Sequence, residues 1–144
     1  MPFISVTRLR IRAIRFLPVF ALHARRTRNQ VCSASGFQGG SILVDKDWTY
    51  WTMTAWDSQG SMHQYMSTGA HGIVMPRLLD WCDEASLVHW LHPGAALPSW
   101  AEADQRMREG GRPSKLRRPS PVHATLSYRP PRLRGSRLIR LDPA

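Results

Sequence analysis

Residues 3–13 alternate between apolar and polar positions, with Leu9, Ile11 and Ala13 on one side and Arg8, Arg10 and Arg12 on the other. A period of two with β-branched residues predicts a half-buried strand. Pro18 suits the first turn of a helix, where its missing N–H needs no partner. Phe16, Phe20, Ala24 and Thr27 then recur at helical spacing, and Gly36 is placed beyond the helix end. Phe37–Val44 reads as a second strand, with a bulge or a close backbone approach at Gly39-Gly40. A polar turn, Asp45-Lys46-Asp47, leads into the strongest strand pattern of the chain, residues 48–56. There Trp48, Tyr50, Thr52, Thr54 and Trp56 share one face, and Thr49, Trp51, Met53 and Ala55 the other. Asp57 or Ser58 is placed to cap a helix carrying Met62, Tyr65 and Met66 on one face, which Gly69 interrupts. His71, Met75, Leu78 and Cys82 then form the stripe of a further helical piece with Pro76 near its start. Residues 86–92 alternate as a fourth strand, and residues 98–109 predict a short closing helix before Gly110-Gly111.

The order β-α-β-β-α-β predicts an α+β fold of the ferredoxin-like βαββαβ kind, with one four-stranded antiparallel sheet and two helical layers on one face. The other face of that sheet carries large side chains that a lone subunit would leave bare. A second copy is the expected cover, which predicts a homodimer. Residues 1–118 form the predicted domain. Residues 119–144, a basic stretch rich in Arg and Pro, are expected to be largely irregular, with few core contacts from about residue 122 onward.

Composition narrows the class. The chain has 144 residues, 42% of them hydrophobic, enough for one core. No run of uninterrupted apolar residues is long enough for a membrane span. The net charge of +10 is uneven: residues 45–109 are acidic, and the basic excess lies at the two ends. That distribution, almost all of it Arg, fits solvated charge and coding bias better than a nucleic-acid stripe. The first 30 residues are Arg-rich and acid-free like a transit peptide, yet their strand alternation begins almost at Met1, so they read as folded structure. The two cysteines, Cys32 and Cys82, read as buried free thiols of a reducing compartment, and a cytoplasmic location is expected.

Candidate chemistry centres on His71, a proton shuttle, an axial haem ligand, or a histidine bonded to the backbone. His63 reads as a surface residue. His89 shares its face with Leu87 and Leu91, while His92 falls on the opposite face, so the two cannot chelate one metal, and no metal site is predicted. Six tryptophans suit either an aromatic-lined pocket or a core and dimer interface. Trp51 and Met53 lie on one face of their strand and Trp56 on the other, so only one set can line a cavity. Arg8, Arg10 and Arg12 suit an anion site or, preferably, the solvent face of an edge strand.

The element order resembles the antibiotic-biosynthesis-monooxygenase type of dimeric α+β barrel. So do the run Trp51-Thr52-Met53-Thr54-Ala55-Trp56-Asp57, the pair Met62-His63 and the run Ser67-Thr68-Gly69-Ala70-His71. The stretch from Leu78 to Glu84, and that from His89-Trp90 to Pro98-Ser99-Trp100, are similar to uncharacterised bacterial members. The resemblance covers residues 2–118. It implies a small-molecule monooxygenase-like protein acting on an aromatic or polyketide-type substrate. His71 would be the catalytic base, and Trp51, Met53, Trp56, Trp81 and His89 would bind the substrate. No cofactor is expected, with haem as the alternative. Rival readings are a haem-binding barrel, a non-catalytic dimeric scaffold, and a nucleic-acid-binding module using the basic tail. The last lacks the basic-Gly-aromatic signature of RNA-recognition domains.

Overall fold

The computed structural model describes residues 1–144 apart from Ala95 and Gly135. Strand β1 (Phe3–Ile11) leads through a short turn into helix α1 (Leu17–Cys32), with Pro18 in its first turn. Strands β2 (Phe37–Val44) and β3 (Thr49–Trp56) form a hairpin. Asp47 and Trp48 both have φ near 58°, so Trp48 belongs to the turn rather than the strand. The predicted bulge is present: the β2–β3 register shifts between Phe37 and Gly39. A Cβ on Gly40 would run into the Met53 carbonyl, so only glycine fits there.

Helix α2 (Gln59–Ser67) starts at Ser58, whose Oγ accepts the Ser61 N–H at 3.2 Å. Helix α3 (Gly69–Trp81) begins well before Pro76, which therefore sits inside it rather than near its start. Strand β4 (Cys82–Leu91) follows without a loop and takes in Asp83 and Glu84. Helix α4 (Trp100–Gly110) is capped by Ser99. Two short strands complete the chain, β5 (Arg112–Pro113) and β6 (Arg137–Leu141). None of the described helices is long and apolar enough to cross a membrane.

All strand pairings are antiparallel, in the order β5-β4-β1-β3-β2-β6. The four inner strands and the helices make the α+β ferredoxin-like fold. The sheet has six strands, not the expected four, because β5 and β6 occupy its two edges, where unpaired backbone groups accept any extended segment. The alternation Arg137-Leu138-Ile139-Arg140-Leu141 is a strand pattern hidden in a basic, Pro-rich context.

β1 is a central strand, which corrects the edge-strand reading of its arginines. Arg8 is 6% exposed and donates to Glu84 Oε1 at 2.7 Å, and Arg10 donates to Glu84 Oε2 at 2.9 Å. Two charges at a sheet centre are tolerable because both are paired and hydrogen-bonded.

The sheet is the middle of three layers. Helices α1, α2 and α3 cover one face. On the other, Ile4, Val6, Trp51, Met53 and Trp90 pack against Ala103 and Met107 of α4 and against Val122, Leu126 and Tyr128. The bare face from which a face-to-face dimer was inferred is thus filled by the chain itself, and that argument for a partner lapses. The expectation of few contacts beyond residue 122 is likewise corrected. Tyr128 is 4% exposed, β6 pairs with β2 over five residue pairs, and the Ala144 N–H donates to the Cys32 carbonyl at 2.7 Å. Burial of each large apolar side chain here is worth about 1.5–3 kcal/mol, which offsets the cost of ordering the segment.

Candidate functional site

On the helical face, β1 and β3 present small or medium side chains at their middle positions and Tyr50 toward one end. Ser5 stands opposite Thr54, Thr7 opposite Thr52, and Leu9 opposite Tyr50. Larger groups hold the helices off the sheet on either side of this floor. At one end Phe20 meets Tyr50, with ring centres 4.9 Å apart; at the other Tyr65 meets Trp56 at 5.3 Å. The two clusters leave a cavity of about 510 Å³ between helices and sheet, a size suited to a small organic molecule. Its walls are largely apolar and include Phe20, Ala24, Met62, Met66 and Leu78. β6 closes one side with Ile139 and Leu141.

His71 lines this cavity. It sits in the first turn of α3, just after a break at Thr68 (extended) and Gly69 (φ 57°). A Cβ on Gly69 would lie 3.1 Å from the Gln30 side chain. That side chain ties the break together. Gln30 Nε2 donates to the carbonyls of Tyr65 (3.2 Å) and Thr68 (2.8 Å), and Oε1 accepts the His71 N–H (2.8 Å).

The ring of His71 is equally fixed. Nδ1 lies 2.9 Å from the Met66 carbonyl, which can only accept, so Nδ1 carries the proton when the ring is neutral. Nε2 has no partner among the described residues. Burial pushes the His71 pKa below the usual value of 6.5, against the smaller opposing effect of the Met66 hydrogen bond. A neutral imidazole with a free Nε2 lone pair is thus held at the cavity wall. The Tyr65 ring packs 4.8 Å from it, and burial raises the Tyr65 phenol so that it stays protonated and donates to the Thr27 carbonyl.

The other sequence candidates do not gather there. Trp51 and Met53 are fully buried in the opposite face, which removes them from the cavity wall. Trp56 is on the helical face, but behind the wall: its Nε1 donates to Thr54 Oγ1 at 2.9 Å and it supports Tyr65. Trp81 packs against His23 at the far end of α3. His89 stands beside Phe3, with its Nε2 buried and unpaired among the described residues. His63 is exposed, as expected. Burial lowers the His89 pKa too. Cys32 and Cys82 belong to different clusters and do not meet. Among the described residues no three His, Cys, Asp or Glu side chains converge as a metal site. Sequence reasoning missed Gln30 and Tyr65, together with Arg25, Arg28 and Arg137 at the cavity wall. The advance signals were the shared strand face of Tyr50, Thr52 and Thr54 and the shared helix face of Met62, Tyr65 and Met66.

A family model described as "Domain of unknown function (DUF3291)" matches residues 20–116. No curated protein matches the chain. Among solved structures, one described as an antibiotic biosynthesis monooxygenase is 10% identical, with 67% of this chain and 99% of that chain covered and a TM-score of 0.56. A variant of SnoaB, a cofactor-independent oxygenase from Streptomyces nogalater, is 17% identical, with 68% and 98% covered and a TM-score of 0.52. A variant of MhuD with two manganese protoporphyrin IX molecules per active site is 17% identical, with 67% and 100% covered and a TM-score of 0.50. At such identities the likeness shows the fold alone.

Proposed function

The chain belongs to the DUF3291 family, and from that premise we propose that its cavity binds an apolar or aromatic small molecule and oxygenates it without a cofactor, with His71 as the general base. One observation carries this reading: the His71 ring, held neutral and fixed through Nδ1, lines an apolar cavity of about 510 Å³ with its Nε2 unpartnered among the described residues. A phenolic or enolic substrate would give its proton to Nε2, and the resulting electron-rich anion would react directly with O₂. The balance is closed by substrate and O₂ alone: a CH₂ group becomes a carbonyl, and the second oxygen atom leaves as water. The apolar walls exclude bulk water from the anion, which sharpens every polar contact made to it. The monooxygenase-like fold and the cofactor-independent oxygenase among the similar structures support the class of reaction.

The test is O₂ uptake with anthrone-type substrates. Turnover by the wild type that falls about 10²–10⁴-fold in His71→Ala is the expected result for loss of a general base. Unchanged turnover in that variant would remove His71 from the mechanism.

Haem is the second reading, favoured by the same side chain. An imidazole whose Nδ1–H is held by a carbonyl is oriented as haem-ligating histidines are, and Arg25, Arg28 and Arg137 at the wall suit propionates. Haem bound there would supply redox chemistry with O₂, and His71 would hold it. A Soret band on haem titration that disappears in His71→Ala would favour this reading over the first.

A further inference from the structure

The cavity wall has a charge asymmetry that an apolar ligand does not use. Three arginines line it, Arg25 and Arg28 from α1 and Arg137 from β6, and no carboxylate does. The two on α1 are one helical turn apart and so share a face. All three are exposed. None has a carboxylate within ion-pair distance among the described residues, so all three are available to an anion.

We infer that the ligand of this cavity is an amphipathic acid, with an apolar body among the helices and one carboxylate or similar anion received at the mouth by Arg25, Arg28 and Arg137. The inference rests on the cavity being a ligand site, as proposed above. A planar guanidinium matches a carboxylate with two parallel hydrogen bonds, and exposed arginines at a cavity rim can reach an anion without the cost of desolvating it fully. Anchoring the anion at the rim would also orient the body of the ligand, so that one edge of it is presented to His71. Arg137 has a particular place in this. It stands opposite Val44 in the β2–β6 pairing, beyond the residues 20–116 that match the family model. The C-terminal strand thereby sets ligand choice in this chain, through a cation as well as through the apolar wall of Ile139 and Leu141.

Two ligands of the same shape separate the possibilities: naphthoate, and its neutral analogue naphthalenemethanol. Each is titrated by fluorescence into the full-length protein at low salt. The expected result is naphthoate binding about tenfold or more tightly than the alcohol, with that advantage reduced in Arg137→Ala and abolished in Arg25→Ala/Arg28→Ala/Arg137→Ala while alcohol affinity stays the same. These side chains are exposed, and circular dichroism checks that the variants remain folded. Equal affinities for acid and alcohol would overturn the anion assignment and leave the cavity reading standing. Binding of neither would overturn the cavity reading and this inference with it. A preference for the acid that survives unchanged in Ala24→Phe, which narrows the cavity beside Arg25 and Arg28, would place the anion elsewhere on the basic surface and also overturn the assignment.

Discussion

The side-chain oxygen of Gln30 accepts the backbone N–H of His71 at 2.8 Å, across 41 residues of sequence. The same amide group donates to the carbonyls of Tyr65 and Thr68, so one α1 residue serves both the C-terminal end of α2 and a first-turn amide of α3. Helix ends leave such groups without partners, and a joint between two helices concentrates them. Gln30 is therefore a positioning residue for His71. Gln30→Ala is expected to lower thermal stability by about 1–3 kcal/mol, the cost of half-buried polar groups left unpaired. It is also expected to admit water beside His71, so that the acid limb of any pH–rate profile moves upward toward 6.5. Stability loss with an unmoved limb would assign Gln30 a structural part only.

The wild-type pH profile has a defined sign. Burial holds His71 below 6.5, so the base is already free at neutral pH. The rate kcat/KM is expected to be flat through neutrality and to fall only below pH 6.5, as Nε2 becomes protonated. A limb centred at or above 6.5 would mean that another group titrates.

Tyr128 locks the C-terminal segment to the sheet. Its ring lies between the guanidinium groups of Arg8 (4.1 Å) and Arg108 (4.2 Å), and its hydroxyl donates to Asp104 Oδ1 at 2.7 Å. Tyr128→Phe should cost about 1.5–3 kcal/mol, the range for a hydrogen bond to a charged group. Tyr128→Ala should cost about 3–5 kcal/mol by opening a cavity beside Trp51. Deletion of residues 119–144 should lower the urea midpoint further and cause concentration-dependent association in sedimentation, because the Trp51–Met53 face is then partly bare. A truncated chain as stable as the full one would refute the docking of this segment.

Glu84 should set the acid limit of stability. Burial pushes its carboxyl up, but hydrogen bonds from Arg10 and Arg8, with smaller help from Ser120, outweigh that and hold it below the usual glutamate value. A carboxyl depressed in the folded state contributes stability that is complete above its unfolded pKa, about 4.3. That contribution is lost as pH falls from there through the folded value, where the native state also takes up the proton. Glu84→Gln should cost about 3–5 kcal/mol at neutral pH, since Arg8 is then buried without its counter-charge, and should flatten this part of the acid transition. Denaturant melts across the acid range measure both.

Cysteine labelling offers a simple check of the packing. Burial and the nearby Asp83 push the Cys82 thiol up to about 12, so it should resist iodoacetamide in the native protein. Cys32 is only half-buried and should be the residue that labels first. Rapid native labelling of Cys82 would show that the cluster around Ile11 and Trp81 opens readily.

The periodicities in the sequence determined the four inner strands, the main helices and their ferredoxin-like order, but not the edge strands β5 and β6 or the start of β4 at Cys82. The signals that did so are local: the spacing of apolar residues, Ser58 as a cap and Gly39-Gly40 as a bulge act within a few positions of themselves. His71 was also legible, as a histidine after a glycine break on an apolar stripe. Tertiary structure alone decided what each face meets. β3 carries large groups on both faces, so period two could separate Trp51 and Met53 from Tyr50, Thr52 and Thr54 but not say which set looks into a cavity. That choice was made by α4 and Tyr128 covering the first set. The same holds for Arg8 and Glu84, for Gln30 and His71, and for β6 on β2, each a pairing between groups far apart in the chain. An arginine in an alternating strand reads the same whether water or a glutamate awaits it, because the energy that distinguishes the two arises only when distant segments meet.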